Sequence, residues 1–473
     1  EALPGDIPQC ELGKRADLRD MKIVTIDGDD AKDLDDAVSV ERLQNGNFRL
    51  GVHIADVAHY VAENSLLDKE AYRRGTSVYF LDRVIPMLPQ RISNGICSLN
   101  PKEDRLTMSV FMEIDRCGCV VDYEILESVI RTSERMTYTD VSDILEKNDP
   151  SLIERYRYLL DDFRAMEELY RILAAKRTER GSIDFEFDEF KVILDEKGKP
   201  TDIVKVERRT ADKIIEEFML VCNQTVAEHM YWLGVPFIYR VHEEPDMEKM
   251  EAFNAFIYNF GYSIKGIKRV HPKTLQALIA KVKGKKEERV INTLMLRSLK
   301  RARYSHESLG HYGLAATYYC HFTSPIRRYP DLVVHRILKE TIKGKMNHDR
   351  AEYLKDFVER AAMQSSDRER AADEAEREVE DMKKVEYMAD KVGEEFEGIV
   401  SGVTAFGLFV ELYNGVEGMV RVSYMDDDFY HFDEKSYTLM GARTRKTYKI
   451  GDAVRVQVLR ADTIDKKLEF TLV

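Results

Sequence analysis

The chain has 473 residues, 44% of them hydrophobic and 33% charged, and carries a net charge of −13. That length predicts two or three domains with sizeable cores. The acidic balance excludes a surface coated throughout for nucleic-acid binding, but not a basic channel inside an acidic exterior. No run approaches the roughly 18 apolar residues of a membrane-crossing helix. The six cysteines form no CxxC pair, which argues against a zinc knuckle or a disulfide scaffold and for reduced, cytosolic thiols.

The first residues, "EALPGDIPQC", show no initiator Met and no signal-peptide pattern, and read as the interior of a longer polypeptide. Strands dominate to about residue 132: "MKIVTID", "DAVSVERL", "FRLGVHIADVAHYV", "LTMSVFMEID" and "CVVDYEILESVI". From Tyr138 helices take over, first "DVSDILEKN" and then a long amphipathic helix over residues 151–177 with Ser151 as its cap. A short sheet follows ("DFEFDEFKVIL", "PTDIVKVE"), then a helix over 211–233 and three more within 246–303. Residues 265–303 hold thirteen Lys or Arg against two Glu, which suits either a solvated helix face or a surface set against phosphates. "SPIRRYPDLVVHRILKETIKG" enters a helix at Tyr329 or Pro330, and a charged helical stretch over 348–391 leads to a linker. From Glu394 the pattern becomes five short strands, predicting an OB-type barrel. Its aromatics are Phe396, Phe406, Phe409 and Tyr413. They are either core or, for the pair Phe406 and Phe409, outward base-stacking platforms.

The stretch "IDGDDAKDLDDAV" carries six aspartates at 27, 29, 30, 33, 35 and 36. A charged loop is ordinarily just solvated. Here it follows an apolar strand whose end fixes Asp27, and the loop brings Asp33, Asp35 and Asp36 back towards it. An EF-hand is excluded, because counting from Asp27 puts Ala31, Lys32 and Val38 at positions 5, 6 and 12. Hard divalent cations take oxygen ligands. Four carboxylates suit a pair of such ions for in-line attack on phosphorus, with an arginine fork on the phosphate oxygens.

"TIDGDDAKDLDDAVSVE", "GVHIADVAHYV", "RGTSVYFLDRVIPMLP", "SNGICSLNP", "DRLTMSVFMEID", "IIEEFMLVCN" and "HFTSPIRRYPDLVVHR" together resemble the catalytic domain of the ribonuclease II and ribonuclease R family, nearest to its ribonuclease R branch. The tail resembles the RNA-binding OB barrel first described in ribosomal protein S-one. The resemblance implies an α+β chain: a linker over 1–14, a mixed α/β catalytic domain with a central RNA channel over 15–391, and a five-stranded OB barrel over 392–473. It assigns Asp27, Asp33, Asp35 and Asp36 to two Mg²⁺ ions (or Mn²⁺), with Asp35 the most needed for chemistry. Arg327, with Arg328 beside it, matches the arginine that steadies the scissile phosphate. Tyr79 and Phe185 are similar to the two jaws of an aromatic clamp, and Tyr138 to the tyrosine that sets final product length. Glu216 and Glu376 resemble acids that contact RNA sugars. Without the resemblance, Tyr79 and Phe185 read as core aromatics and Glu376 as a surface charge.

The implied activity is processive 3′-to-5′ hydrolysis of single-stranded, and also structured, RNA to nucleoside 5′-monophosphates. The implied setting is a cytoplasmic monomer with no membrane contact, with the ribosome or RNA-decay factors as further partners. Relatives carry two cold-shock-type domains upstream and a basic tail downstream. Without them this chain is expected to keep the chemistry, grip RNA more weakly and select a 3′ overhang less well. The alternatives are a non-catalytic RNA-binding protein on the same fold and a metal-dependent endoribonuclease.

Overall fold

The computed structural model describes residues 7, 9–185, 187–267, 269–433 and 437–473. Of the linker expected over 1–14, positions 1–6 and 8 lie outside the described residues.

After a single helical turn, α1 (Gln9–Leu12), the chain builds strands β1 (Ala16–Asp17), β2 (Val24–Asp27), β3 (Asp36–Arg42) and β4 (Phe48–Ala55). Helices α2 (Val57–Tyr60) and α3 (Leu66–Arg74) and the small ribbon β5 (Val78–Tyr79) and β6 (Val84–Ile85) come next. The long hairpin β7 (Asp104–Ile114) and β8 (Val120–Arg131) and the short β9 (Glu134–Thr137) complete a seven-stranded sheet. Its order is β1-β8-β7-β4-β3-β2-β9. The two edge pairings, β1 with β8 and β2 with β9, are parallel, and the rest antiparallel. The near-continuous apolar runs of β3, β4 and β7 follow from burial; every residue of β4 except Arg49 is buried.

Helices α4 (Tyr138–Ser142), α5 (Pro150–Arg155) and α6 (Leu160–Arg180) follow. The single long helix expected from residue 151 is therefore two, broken at Tyr156 by a short 3-10 turn. Its cap is Asp149, whose Oδ1 accepts the amides of Ser151 and Leu152 at 2.9 and 3.1 Å. Ser151 sits inside the first turn and donates its hydroxyl to the same oxygen. Proline at the first helical position needs no amide partner, so Asp149-Pro150 starts the helix better than Ser151 does.

The ribbon β10 (Glu189–Leu194) and β11 (Pro200–Val206) precedes α7 (Thr210–Leu233), which runs through the main core. Strand β12 (Tyr239–Val241) pairs with β13 (Arg303–Ser305). Between them α8 (Met247–Tyr258), α9 (Pro272–Val282) and α10 (Glu288–Ser298) enclose a second core around Phe253, Leu275 and Ile291. Helix α11 (Tyr329–Ile342) is almost wholly buried.

Helix α12 (His348–Ala389) runs 42 residues and connects to the C-terminal barrel through a short turn over 390–394. Val385 and Met388 at its end belong to the core of the C-terminal barrel, which begins six residues later. The barrel strands are β14 (Glu395–Thr404), β15 (Gly407–Leu412) and β16 (Glu417–Arg421), then, after an insertion, β20 (Ala453–Asp462) and β21 (Lys467–Leu472). They close in the order β14-β15-β16-β21-β20, with β16 and β21 parallel, which is the OB arrangement. Gly407 is required at the β14–β15 turn, since a Cβ there would meet the Val420 carbonyl at 2.1 Å. The insertion, a three-stranded sheet of β17 (Tyr430–Asp433), β18 (Thr438–Gly441) and β19 (Thr447–Lys449), adds to the five strands expected.

Candidate active site

Strand pairing explains why the aspartates meet. Val24 of β2 faces Val38 of β3 across an antiparallel pair, so the C-terminal end of β2 and the start of β3 lie side by side. Asp27 is the last residue of one and Asp36 the first of the other. The connecting loop is stapled at Ser98, whose Oγ accepts the Leu34 amide at 3.1 Å and donates to the Lys32 carbonyl at 2.9 Å. Leu34 is buried, so Asp33 and Asp35 flank an anchored residue. Asp29 and Asp30 are exposed.

Asp35 is only 4% exposed. Its Oδ1 accepts the Ile326 amide at 2.8 Å, and its Oδ2 lies 3.8 Å from Arg327 Nε with no hydrogen-bond partner. Asp27 Oδ2 is likewise buried and unpartnered. Burial and the like charges of Asp36 and Asp33 push the Asp27 carboxyl up to about 8, against the pull of Arg135 and Arg327. Burial pushes Asp36 up to about 6, with Arg327 and Arg328 opposing. Burial also raises Asp35 well above the carboxylate range, opposed by Arg327 and the Ile326 amide and reinforced by Asp36 and Asp33. Asp27 and Asp35 both feel the negative charge of Asp33 and Asp36, so the carboxylates act on one another as a cluster.

Among the described residues no three acidic, histidine or cysteine side chains are drawn together tightly enough to hold a metal ion as they stand. Asp33 Oδ2 is engaged by the Tyr79 phenol at 3.1 Å, and Asp35 Oδ1 by the Ile326 amide. The donor set nevertheless fits a hard divalent cation. It is all oxygen, and two of its buried carboxylate oxygens have no other partner.

Arg327 reaches this cluster from the loop before α11. Asp331 Oδ1 shapes that loop by accepting the Ser324 amide and Arg328 Nη2, both at 2.8 Å. Arg328 is thus turned inward onto Asp331, whereas the Arg327 side chain is 45% exposed. Tyr138 opens α4 directly after Thr137, the β9 partner of Asp27, and burial together with Asp36 and Asp27 raises its phenol. Tyr79 stands beside Asp33, and its amide donates to Glu376 Oε1 of α12 at 2.6 Å. Glu216 and Phe185 line a cleft of about 740 Å³ with Arg177, Arg208 and Lys213. There Glu216 pairs with Arg208, and the Phe185 ring stacks on Phe187 at 5.7 Å. On the barrel Phe406 is 78% exposed, and Phe409 alternates outward between buried Leu408 and Val410. Within the basic run over 265–303, Arg269, Arg289, Lys300 and Arg303 pair with acids, while Lys281 and Lys286 are exposed.

Three residues of the site give no signal in the sequence. Arg135 binds the backbone of the aspartate loop. Asn223 of α7 accepts the Phe322 amide at 2.9 Å and holds the segment leading to Arg327. Ser98 is the loop staple. Each acts across at least 64 positions of chain.

A strand-end carboxylate cluster faced by an arginine suits phosphoryl transfer, and an OB barrel is a common nucleic-acid-binding module. Residues 15–344 match the model of the RNB domain and residues 389–472 that of the S1 RNA binding domain, and the chain belongs to the RNB family. Ribonuclease R 1 of Lactococcus lactis is 50% identical over 99% of this chain and 58% of its own length. Ribonuclease R of Thermotoga maritima is 50% identical over the whole of this chain and 67% of its own. The chain therefore spans about three fifths to two thirds of these relatives. The Mycoplasma genitalium RNase R solved with ribose-methylated single-stranded RNA superposes with a TM-score of 0.92 at 30% identity, covering 99% of this chain and 73% of that one.

Proposed function

We infer that the chain hydrolyses RNA from its 3′ end to nucleoside 5′-monophosphates. The observation that carries this reading is the pair of buried, unpartnered oxygens, Asp27 Oδ2 and Asp35 Oδ2, beside Arg327. Asp27, Asp33, Asp35 and Asp36 are the residues that would hold magnesium or manganese. When bound, two such cations activate water for attack on phosphorus and offset charge on the leaving oxygen. Arg327 offers its guanidinium fork to the non-bridging oxygens of the last phosphodiester. Tyr79 and Phe185 stack on bases near the 3′ end, which tolerates any sequence because every base has a π-face. Tyr138 limits how far the end penetrates. Glu216 and Glu376 accept 2′-hydroxyls, which would select RNA over DNA. Arg328 supports Arg327 from behind, and Phe406 and Phe409 hold the strand on the barrel.

No helix among the described residues is long and apolar enough to cross a membrane. The six free cysteines suit a reducing compartment, and we place the reaction in the cytoplasm, carried out by a monomer. A duplex with a 3′ overhang is a second substrate on this reading.

The test is a single-stranded RNA oligomer labelled uniformly at its internucleotide phosphates, incubated with Mg²⁺ and with Mg²⁺ plus EDTA. Monophosphate release that EDTA stops, and that Asp35→Asn abolishes while RNA binding survives, supports the reading. Internal fragments would make the chain an endonuclease, and an intact oligomer a binding protein.

A further inference from the structure

Arg135 lies in β9 opposite Thr25 of β2, one strand away from the aspartates. Its Nη2 donates to three carbonyl oxygens of the aspartate loop: Gly28 at 3.3 Å, Asp29 at 2.8 Å and Ala31 at 2.9 Å. The same turn is closed by the Ala31 amide on the Gly28 carbonyl at 3.1 Å. Three carbonyl dipoles converging on one point repel one another unless a cationic donor sits there, so the guanidinium determines this local fold. Ser98 then holds Lys32 and Leu34. Asp33 lies between the two residues that Ser98 holds, directly beyond the turn that Arg135 holds.

We propose that Arg135 is a positioning residue for the divalent cation, acting through the loop's backbone and not through a carboxylate. The proposal rests on the metal reading given above. It makes a prediction whose sign is opposite to that of simple electrostatics. Arg135 is a positive charge close enough to lower the Asp27 carboxyl, so removing it should tighten cation binding if its charge were all that mattered. If its hydrogen bonds shape the loop, removing it should weaken binding.

The experiment titrates Mn²⁺ alone into the full chain, reading free Mn²⁺ by its paramagnetic resonance signal, for wild type, Arg135→Met and Arg135→Lys. The expected result is a dissociation constant raised roughly tenfold to a hundredfold in Arg135→Met, the range for groups that orient metal ligands. Arg135→Lys, which keeps a cationic donor, should recover part of the loss. Hydrogen exchange of the Ala31 amide in metal-free protein should accelerate in Arg135→Met. A melt without metal confirms that each variant folds, and Arg135→Lys carries the comparison if Arg135→Met does not. Equal or tighter Mn²⁺ binding by the variants overturns the proposal. A flat titration of wild type overturns the metal reading itself, and this proposal with it.

Discussion

Tyr79 and Glu376 are joined by a 2.6 Å hydrogen bond from the tyrosine amide to Oε1, while the phenol of the same tyrosine donates to Asp33 at 3.1 Å. The segment before it is tied to the arginine loop, with Ser77 N and Thr76 Oγ1 donating to the Arg327 carbonyl at 2.9 and 3.1 Å. Helix α12 therefore positions one jaw of the proposed clamp against both the carboxylates and the loop of Arg327, the proposed phosphate-binding arginine. Glu376→Ala removes the acceptor and should lower kcat/KM for single-stranded RNA about tenfold, the equivalent of one hydrogen bond of ~1.4 kcal/mol. Glu376→Gln keeps an acceptor and should recover most of it. Steady-state kinetics on a labelled oligomer decides, and equal losses in both variants would mean that the charge matters and not the bond.

Arg327 approaches Asp35 at 3.8 Å while its side chain is still 45% exposed. A group that meets charge developing in the transition state acts mainly on kcat. Arg327→Met should lower kcat by roughly 10²–10³-fold with KM nearly unchanged. Arg327→Lys keeps the charge but not the fork, and should fall between wild type and Arg327→Met. A loss confined to KM would reassign Arg327 to RNA binding.

The aspartate quartet was legible because its members lie within ten residues and a strand end fixes the first. The barrel was legible from period-two alternation with glycine at the turns. Arg135, Asn223 and Ser98 were not legible, because each gains its role from backbone groups brought up by folding, and a polar residue of this kind carries no periodic signal of its own. The break at Tyr156 escaped because the apolar period continues across it, and capping by Asp149 followed by Pro150 outweighs the Ser151 signal. The sheet of β17–β19 escaped because its strands are only three or four residues long. The cleft holding Phe185 and Glu216 follows from tertiary packing of β10, β11 and α7, which spacing alone does not encode.

Asn223 shows how a buried amide can matter at a distance. It accepts the Phe322 amide through Oδ1, and its backbone carbonyl takes the Cys320 thiol at 3.3 Å. Asn223→Leu would strand the Phe322 amide inside the protein, a cost of about 1–3 kcal/mol. The expected outcome is a lower Tm together with reduced RNA hydrolysis, because the segment it anchors leads to Arg327. Thermal melts and activity at a temperature well below the transition separate the two effects. An activity loss that vanishes at low temperature would limit Asn223 to stability.

Asp56 ties the start of the chain to the far side of α11. It is fully buried and accepts Arg15 Nη2 at 2.8 Å and Lys339 Nζ at 2.7 Å. Burial alone would raise its carboxyl, but the attraction of Lys339 and Arg15 outweighs that and holds it well below its ordinary 3.8. Removing the acid leaves two buried cations short of a partner, so Asp56→Ala should destabilise by about 3–5 kcal/mol. The sign with pH follows from the lowered value. The unfolded chain takes up this proton first as pH falls, so the stabilisation is complete above 3.8 and declines as pH drops towards the folded value. Urea midpoints of wild type and Asp56→Asn should differ by a constant amount from about pH 7 to pH 5 and converge below about pH 4. A gap that stays constant below that point would show that packing, and not the ion pairs, sets the contribution of Asp56.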